Sequence, residues 1–86
     1  MSASVTFSGA MGGRSNKARI IVPPEAVAEL GAGDEPQVDV DVNGYRYRSQ
    51  IRFQHGVHFV SHTVPMRKES GLAIGDAITV TLTVVP

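Results

Sequence analysis

Three stretches of the chain alternate between apolar and polar positions. In Pro36 to Val42, Val38, Val40 and Val42 share one face, and Asp39 and Asp41 the other. In Tyr45 to Phe53, Tyr45, Tyr47, Ser49, Ile51 and Phe53 lie opposite Arg46, Arg48, Gln50 and Arg52. In Ala77 to Val85, Ile78, Val80, Leu82 and Val84 lie opposite Thr79, Thr81 and Thr83. A period of two is that of a half-buried strand, with the apolar row turned inward. Shorter segments predict strands at Ser4 to Ala10, Ala18 to Val22 and Val57 to Val64. Between the first two, Gly12 to Lys17 reads as a turn or mobile loop.

The connections carry their own signals. Asn43-Gly44 predicts a two-residue type I′ hairpin turn. Pro23-Pro24 ends one strand and suits the first turn of a helix. Glu25 there favours the positive end of the helix dipole, Val27 and Leu30 can face a core together, and Gly31 is a good residue just past the end. The spacing predicts a helix of about two turns that needs packing to persist. A second short helix is expected to open at Pro65 and weaken at Ser70-Gly71.

The stretch Val22 to Val42 recurs, 42 positions on, as Val64 to Val84. Val22/Val64, Pro23/Pro65, Leu30/Leu72, Gly33/Gly75, Asp34/Asp76, Val38/Val80 and Val42/Val84 are identical. These matches fall on structural punctuation, which predicts one strand–short helix–strand unit used twice. The chain is therefore expected to be one mainly β domain over 1–86, with pseudo-symmetric repeats at about 18–53 and 57–85.

Composition narrows the function classes. Eighty-six residues make one domain with a modest core. Eight basic and eight acidic residues leave a net charge of zero, so no global field attracts nucleic acid or an anionic membrane. With no cysteine there is neither a disulfide nor a thiolate metal site. The first residues, MSASVTFSGAMGG, lack the features of a signal peptide, and no run approaches a membrane span. A cytoplasmic location is the expectation.

The order strand, Val-Pro, short helix, Gly-Asp, strand resembles the swapped-hairpin unit of the AbrB and MazE transcription-factor and antitoxin families, here with both units in one chain. A closer resemblance is to a bacterial domain-of-unknown-function family often found upstream of a helical YdeI/OmpD-associated (bacteriocin-protection) segment. It rests on Phe7; Val22 and Pro23; Val40, Val42, Asn43, Gly44, Tyr47 and Arg48; and Arg67, Lys68, Gly71, Leu72, Gly75 and Asp76. The resemblance implies a small, partly open double-split β-barrel with short helices at its ends. Two units in one chain would close such a barrel without a partner, so a monomer is expected, with a homodimer as the alternative. The resemblance brings no activity. The helical segment of longer members, on which a protective or stress role would rest, is not among these 86 residues, so that role is kept only as an alternative expectation.

Several groups of residues could carry chemistry. Arg46, Arg48 and Arg52 share a strand face with tyrosines interleaved, which suggests a nucleic-acid stripe. The Asn43-Gly44 turn, however, sets Asp41 against Arg46, Asp39 against Arg48 and Glu35 against Arg52, and paired arginines release few counterions. His58 and His62 lie four apart on one strand, about 13 Å, too far to share a metal ion, and solvated strand histidines are expected. The segment GAMGGRS has the wrong spacing for a phosphate loop. Ser8, Ser49, Ser61 and Ser70 sit in no nucleophile motif, and Asp34 and Asp76 are expected to cap their turns. Arg67 and Lys68 are expected in the first turn of the second helix, where cations oppose the dipole and an anion would relieve them. The sequence thus points to a non-catalytic binding module for a small anion, held at Arg67 and Lys68, or for a protein partner, with no metal or cofactor. An AbrB-like nucleic-acid binder is the alternative, and an accessory protein in bacterial stress or bacteriocin protection a second one.

Overall fold

The computed structural model describes residues 3–14 and 17–85. The chain runs β1 (Ser4–Ala10), β2 (Gly12–Arg14), β3 (Lys17–Val22), α1 (Pro24–Leu30), β4 (Gln37–Val42), β5 (Tyr45–Gln50), β6 (Arg52–Gln54), β7 (Val57–His62), α2 (Val64–Ser70) and β8 (Ala77–Val84). These strands make two antiparallel four-stranded sheets, ordered β1-β8-β4-β5 and β2-β3-β7-β6. The protein is mainly β. Among the described residues no strand of one sheet is paired with a strand of the other, so the sheets do not form a closed barrel. The expected loop over Gly12 to Lys17 is in part the β2–β3 hairpin, and its centre, Ser15-Asn16, lies outside the described residues.

The apolar rows behave as their period predicts. Val38, Val40 and Val42 of β4 and Ile78, Val80 and Leu82 of β8 are buried, as are Ile20 and Val22 of β3 and Val60 of β7. Val27 and Leu30 bring α1 onto this core. The β4–β5 register pairs Asp41 with Arg46 and Asp39 with Arg48, as the two-residue turn requires. Asn43 takes the left-handed conformation at φ 50° and Gly44 at φ 92°. Asn43 also extends the ladder past the end of β4, because its Oδ1 accepts from Thr79 N–H (2.8 Å) and its Nδ2 donates to the Ala77 carbonyl (3.3 Å).

Two residues carry the chain between sheets. Met11 separates β1 from β2, donates its N–H to the Asp76 carbonyl (2.9 Å) and accepts from Gly75 N–H (2.8 Å). Ile51 separates β5 from β6 and donates to the Pro36 carbonyl (2.9 Å). Both side chains are buried. The single strand expected over Tyr45 to Phe53 is thus two strands in different sheets. Phe53, expected inward with Ile51, is 46% exposed beyond the crossing.

The helices correct the register of the sequence match. β2 and β6, β3 and β7, α1 and α2, and β4 and β8 each begin 40 residues apart, not 42. Val22 ends β3 whereas its sequence match Val64 opens α2, and Pro23 precedes α1 whereas Pro65 lies inside α2. A proline fits any position of the first turn, since it lacks only an N–H that has no helical partner there. It therefore marks a helix start loosely. Both helices end on a left-handed glycine, Gly31 and Gly71, again 40 apart. Gly33-Asp34 follows two residues after the first of these, and Gly75-Asp76 four residues after the second. The 42-residue offset therefore aligns none of these elements, and it matches Gly33-Asp34 with Gly75-Asp76 only because the second pair stands two residues further from its glycine.

The crossing at Ile51 has a measurable consequence. Ile51→Ala should destabilise the fold by about 2–5 kcal/mol, because it empties a fully buried site beside a backbone bond that joins the sheets. Phe53→Ala should cost well under half as much. Urea denaturation of the two variants checks this, and equal losses would contradict the assigned crossing.

Candidate functional site

The arginine row of β5 and β6 is engaged by carboxylates. Arg46 Nε lies 3.0 Å from Asp41, Arg48 Nε 2.9 Å from Asp39, and Arg52 Nε 3.5 Å from Glu35. The Asp39 hydrogen bond pushes the Arg48 guanidinium pKa up. Glu35 also accepts from Phe53 N–H (3.2 Å), so it braces the chain just past the Ile51 crossing. On the outer face of this sheet, Asp39, Asp41, Arg46, Thr81 and Thr83 line an open groove of about 370 Å³.

Arg67 and Lys68 stand elsewhere than the sequence placed them. α2 begins at Val64, with Thr63 before it and Pro65 inside, so the two cations fall in its last turn. There they complement the carbonyl end of the dipole. The electrostatic argument for an anion at the first turn no longer applies to them.

The side chains around Arg67 form a polar corner between β5, β7 and α2. His62, the last residue of β7, is fully buried rather than solvated. Its row partner Ala18 lies opposite on β3, which turns His62 to the inner face. Tyr47 O–H donates to the Ser61 carbonyl (3.1 Å), so the Tyr47 oxygen accepts from His62 Nδ1–H (3.3 Å). Nε2 then accepts from the Ser70 hydroxyl at 3.0 Å, and Leu72 N–H donates to the same Ser70 oxygen (3.3 Å). This ordering uses shorter contacts than one in which Ser70 donates to the Arg67 carbonyl at 3.4 Å. Tyr45 O–H donates to Glu69 Oε2 (2.6 Å), a second tie between β5 and α2. The Tyr45, Tyr47 and His62 rings lie 5.6–5.8 Å apart, centroid to centroid.

Electrostatics follow from this packing. Burial, and then the Arg67 charge, hold the His62 imidazole below its ordinary 6.5. The hydrogen bond to Glu69, with some burial, pushes the Tyr45 phenol up, and burial raises Tyr47 further. The corresponding surroundings of α1 are apolar. Val27 is the fourth residue of α1 and Arg67 the fourth of α2; Leu30 ends α1 and Ser70 ends α2; Val22 ends β3 and His62 ends β7. α1 buries Ala26, Val27 and Leu30, whereas α2 buries no residue.

A second difference lies at the two Gly-Asp turns. Asp76 caps its turn as expected, accepting from Ala73 N–H at 2.8 Å. Asp34 accepts no backbone bond among the described residues; its Oδ1 faces His58 Nε2 at 3.6 Å. His58 is therefore mostly covered, with its side chain 13% exposed, and the Phe53 ring packs on it at 4.5 Å.

Two antiparallel sheets with a short helix in each half, and side-chain chemistry gathered at the helix corners, define a small mainly β domain. The chain belongs to the DUF1905 family, a domain of unknown function, which it matches over residues 4–82. No curated protein matches it. Among the described residues, no helix is long and apolar enough to cross a membrane.

The pH dependence of the corner follows from its sign. A histidine whose folded pKa is depressed stabilises the fold fully above the unfolded value of 6.5, and that contribution is lost as pH falls through the folded value. An NMR titration should place the His62 midpoint below 6.5, and His62→Gln should flatten the loss of stability on acidification. A midpoint at or above 6.5 would contradict a buried, neutral imidazole.

Proposed function

We propose that this chain is a small non-catalytic binding module that receives an anionic group at the corner of α2, β5 and β7. One observation carries the reading: the inward positions of this corner are Tyr45, Tyr47, His62 and Ser70, where the α1 side is packed with Val22, Val27 and Leu30. Replacing aliphatic packing by a hydrogen-bonded cluster rarely gains stability. A recognition role accounts for its presence in so small a core. Arg67 and Lys68 supply positive charge beside it, and α2, held by polar ties and burying no side chain, can adjust to a ligand at low cost. His62 is buried and the Ser70 hydroxyl is engaged by it, which favours binding over chemistry. We read the two sheets as an opened double-split barrel made of two internal repeats, supported by the common order and 40-residue spacing of the elements.

Titration with inorganic phosphate, followed by amide chemical shifts, tests the site. Arg67 to Leu72, with Tyr45 and His62, should move first, and Arg67→Glu should abolish the effect. Movement confined to Arg46, Arg48 and Arg52, or no movement at all, would remove the support for this site.

The same reading expects no specific binding of duplex DNA. The strand arginines are already matched by Asp41, Asp39 and Glu35, so few counterions are released on contact. A mobility shift at submicromolar protein in about 0.15 M salt would favour the nucleic-acid reading instead.

A further inference from the structure

Among the described residues the sheets have four edge strands, β1 and β5 in one sheet and β2 and β6 in the other. An edge offers unpaired N–H and C=O groups to any strand that aligns with it, and proteins blunt it with short strands, charges, prolines or bulges. Three of these edges are blunted. β2 and β6 are three residues each, and the Phe53 N–H of β6 is held by Glu35. β5 carries Arg46 and Arg48. β1 has none of these devices. Ser4–Ala10 is seven residues long, has no charge or proline, and pairs with β8 residue for residue without a bulge.

The bonds to β8 fix which side of β1 is open. Val84 N–H donates to the Ala3 carbonyl (2.9 Å), and Met11 N–H to the Asp76 carbonyl (2.9 Å). In an antiparallel ladder such bonded pairs recur at every second residue. Val5, Phe7 and Gly9 therefore bond to β8, and Ser4, Thr6, Ser8 and Ala10 turn their N–H and C=O groups to the open side. Those groups meet no protein partner among the described residues, and all four residues are exposed. α1 packs near β1, where Val5 and Phe7 join the core, but it makes no bond to this edge.

We propose that β1 pairs antiparallel with β1 of a second copy of this chain, about a two-fold axis at Thr6. The strand is complementary to itself. Ser4-Val5-Thr6-Phe7-Ser8 keeps its order of hydroxyl and apolar residues when reversed. The two-fold pairing sets Thr6 opposite its own copy, Ser4 opposite Ser8, and Val5 opposite Phe7. The backbone parity agrees: Thr6 faces the open side and stands on the axis, so the pairs at Ser4, Thr6 and Ser8 each exchange two bonds. Val5 and Phe7, only partly buried at the end of the sheet, then cover each other across the junction. No charge on the strand and no net charge on the chain opposes the contact. The same pairing at β5 would bring the arginines of two copies together. β5 lies at the far side of the sheet from β1, so the contact stands apart from the α2 corner and from any anion bound there.

A single strand edge is a small interface, so the dimer is weak, half-formed between about 10 µM and 1 mM. Sedimentation equilibrium of the intact chain across that range should show a reversible monomer–dimer equilibrium. Over the same range the amides of Ser4, Thr6 and Ser8 should shift and exchange more slowly with solvent. Those of Val5 and Phe7, already bonded to β8, should stay protected throughout. This measurement tests the edge without any substitution. Thr6→Lys and Thr6→Asp, each at an exposed side chain, should each remain folded by amide spectra and monomeric, because like charges meet on the axis. Mixed in equal amounts the two variants should dimerise again, since opposite charges then meet there. A chain that stays monomeric up to about 2 mM would overturn the proposal. So would a dimer unaffected by Thr6→Lys, no recovery on mixing the two variants, or concentration-dependent shifts confined to residues outside β1.

Discussion

A chain that passes from one sheet to another must take its backbone N–H and C=O groups through an apolar interior, where an unpaired group is costly. The rest of this structure depends on how Met11 and Ile51 meet that requirement. Each is a buried side chain on a single residue between two strands, and each finds its backbone partner in the connection that precedes an inner strand of the first sheet: Gly75-Asp76 before β8 for Met11, Pro36 before β4 for Ile51. The helix-to-strand connections therefore act as more than links. They hold the crossings in place, and the crossings hold the sheets face to face over the valines of β4 and β8 and the aliphatic rows of β3 and β7.

Much of this was legible in the sequence because it depends on parity. Once Asn43-Gly44 fixes the hairpin, the pairing of Asp41 with Arg46 and Asp39 with Arg48 is determined, and the structure has that register. Parity fails where the chain changes sheets. Nothing in the composition of Tyr45 to Phe53 marks Ile51 as a break, since the alternation runs on unchanged while the hydrogen-bond partner switches from β4 to Pro36. The helix register was misplaced for a related reason. Proline reports that a helix has begun but not at which residue, so the Pro23/Pro65 match misaligned two helices whose left-handed glycines, Gly31 and Gly71, mark their true ends.

The polar corner was half visible. The alternation placed Tyr45 and Tyr47 on the inner face, and continuing it from Val60 would have placed His62 there too. Three inward-pointing polar rings in a small aliphatic core must find partners, which is a sufficient reason to look for them. What sequence could not supply was Ser70 as the acceptor's partner, because α2 starts before its proline and so turns a different face inward. The two Gly-Asp turns teach the same lesson in reverse. Their identity in sequence suggested identical roles, yet Asp76 caps a turn and Asp34 does not: in connections of equal length Asp76 directly precedes β8 and accepts from Ala73, whereas Asp34 lies three residues before β4 and faces His58.

The Asn43-Gly44 turn has a chemical side as well as a conformational one. Asn-Gly is a sequence in which the glycine nitrogen can attack the neighbouring side-chain carbonyl and release ammonia, and asparagine is among the residues lost when proteins age in heat. Here the Gly44 N–H is held by Asp41 Oδ1 at 2.9 Å, while both ends of the Asn43 amide are tied to β8. The folded hairpin thus restrains nucleophile and electrophile at once. Were the amide lost, the new carboxylate would place an acceptor against the Ala77 carbonyl, where a donor now sits. The same three bonds that set the register also govern the chemical lifetime of the turn.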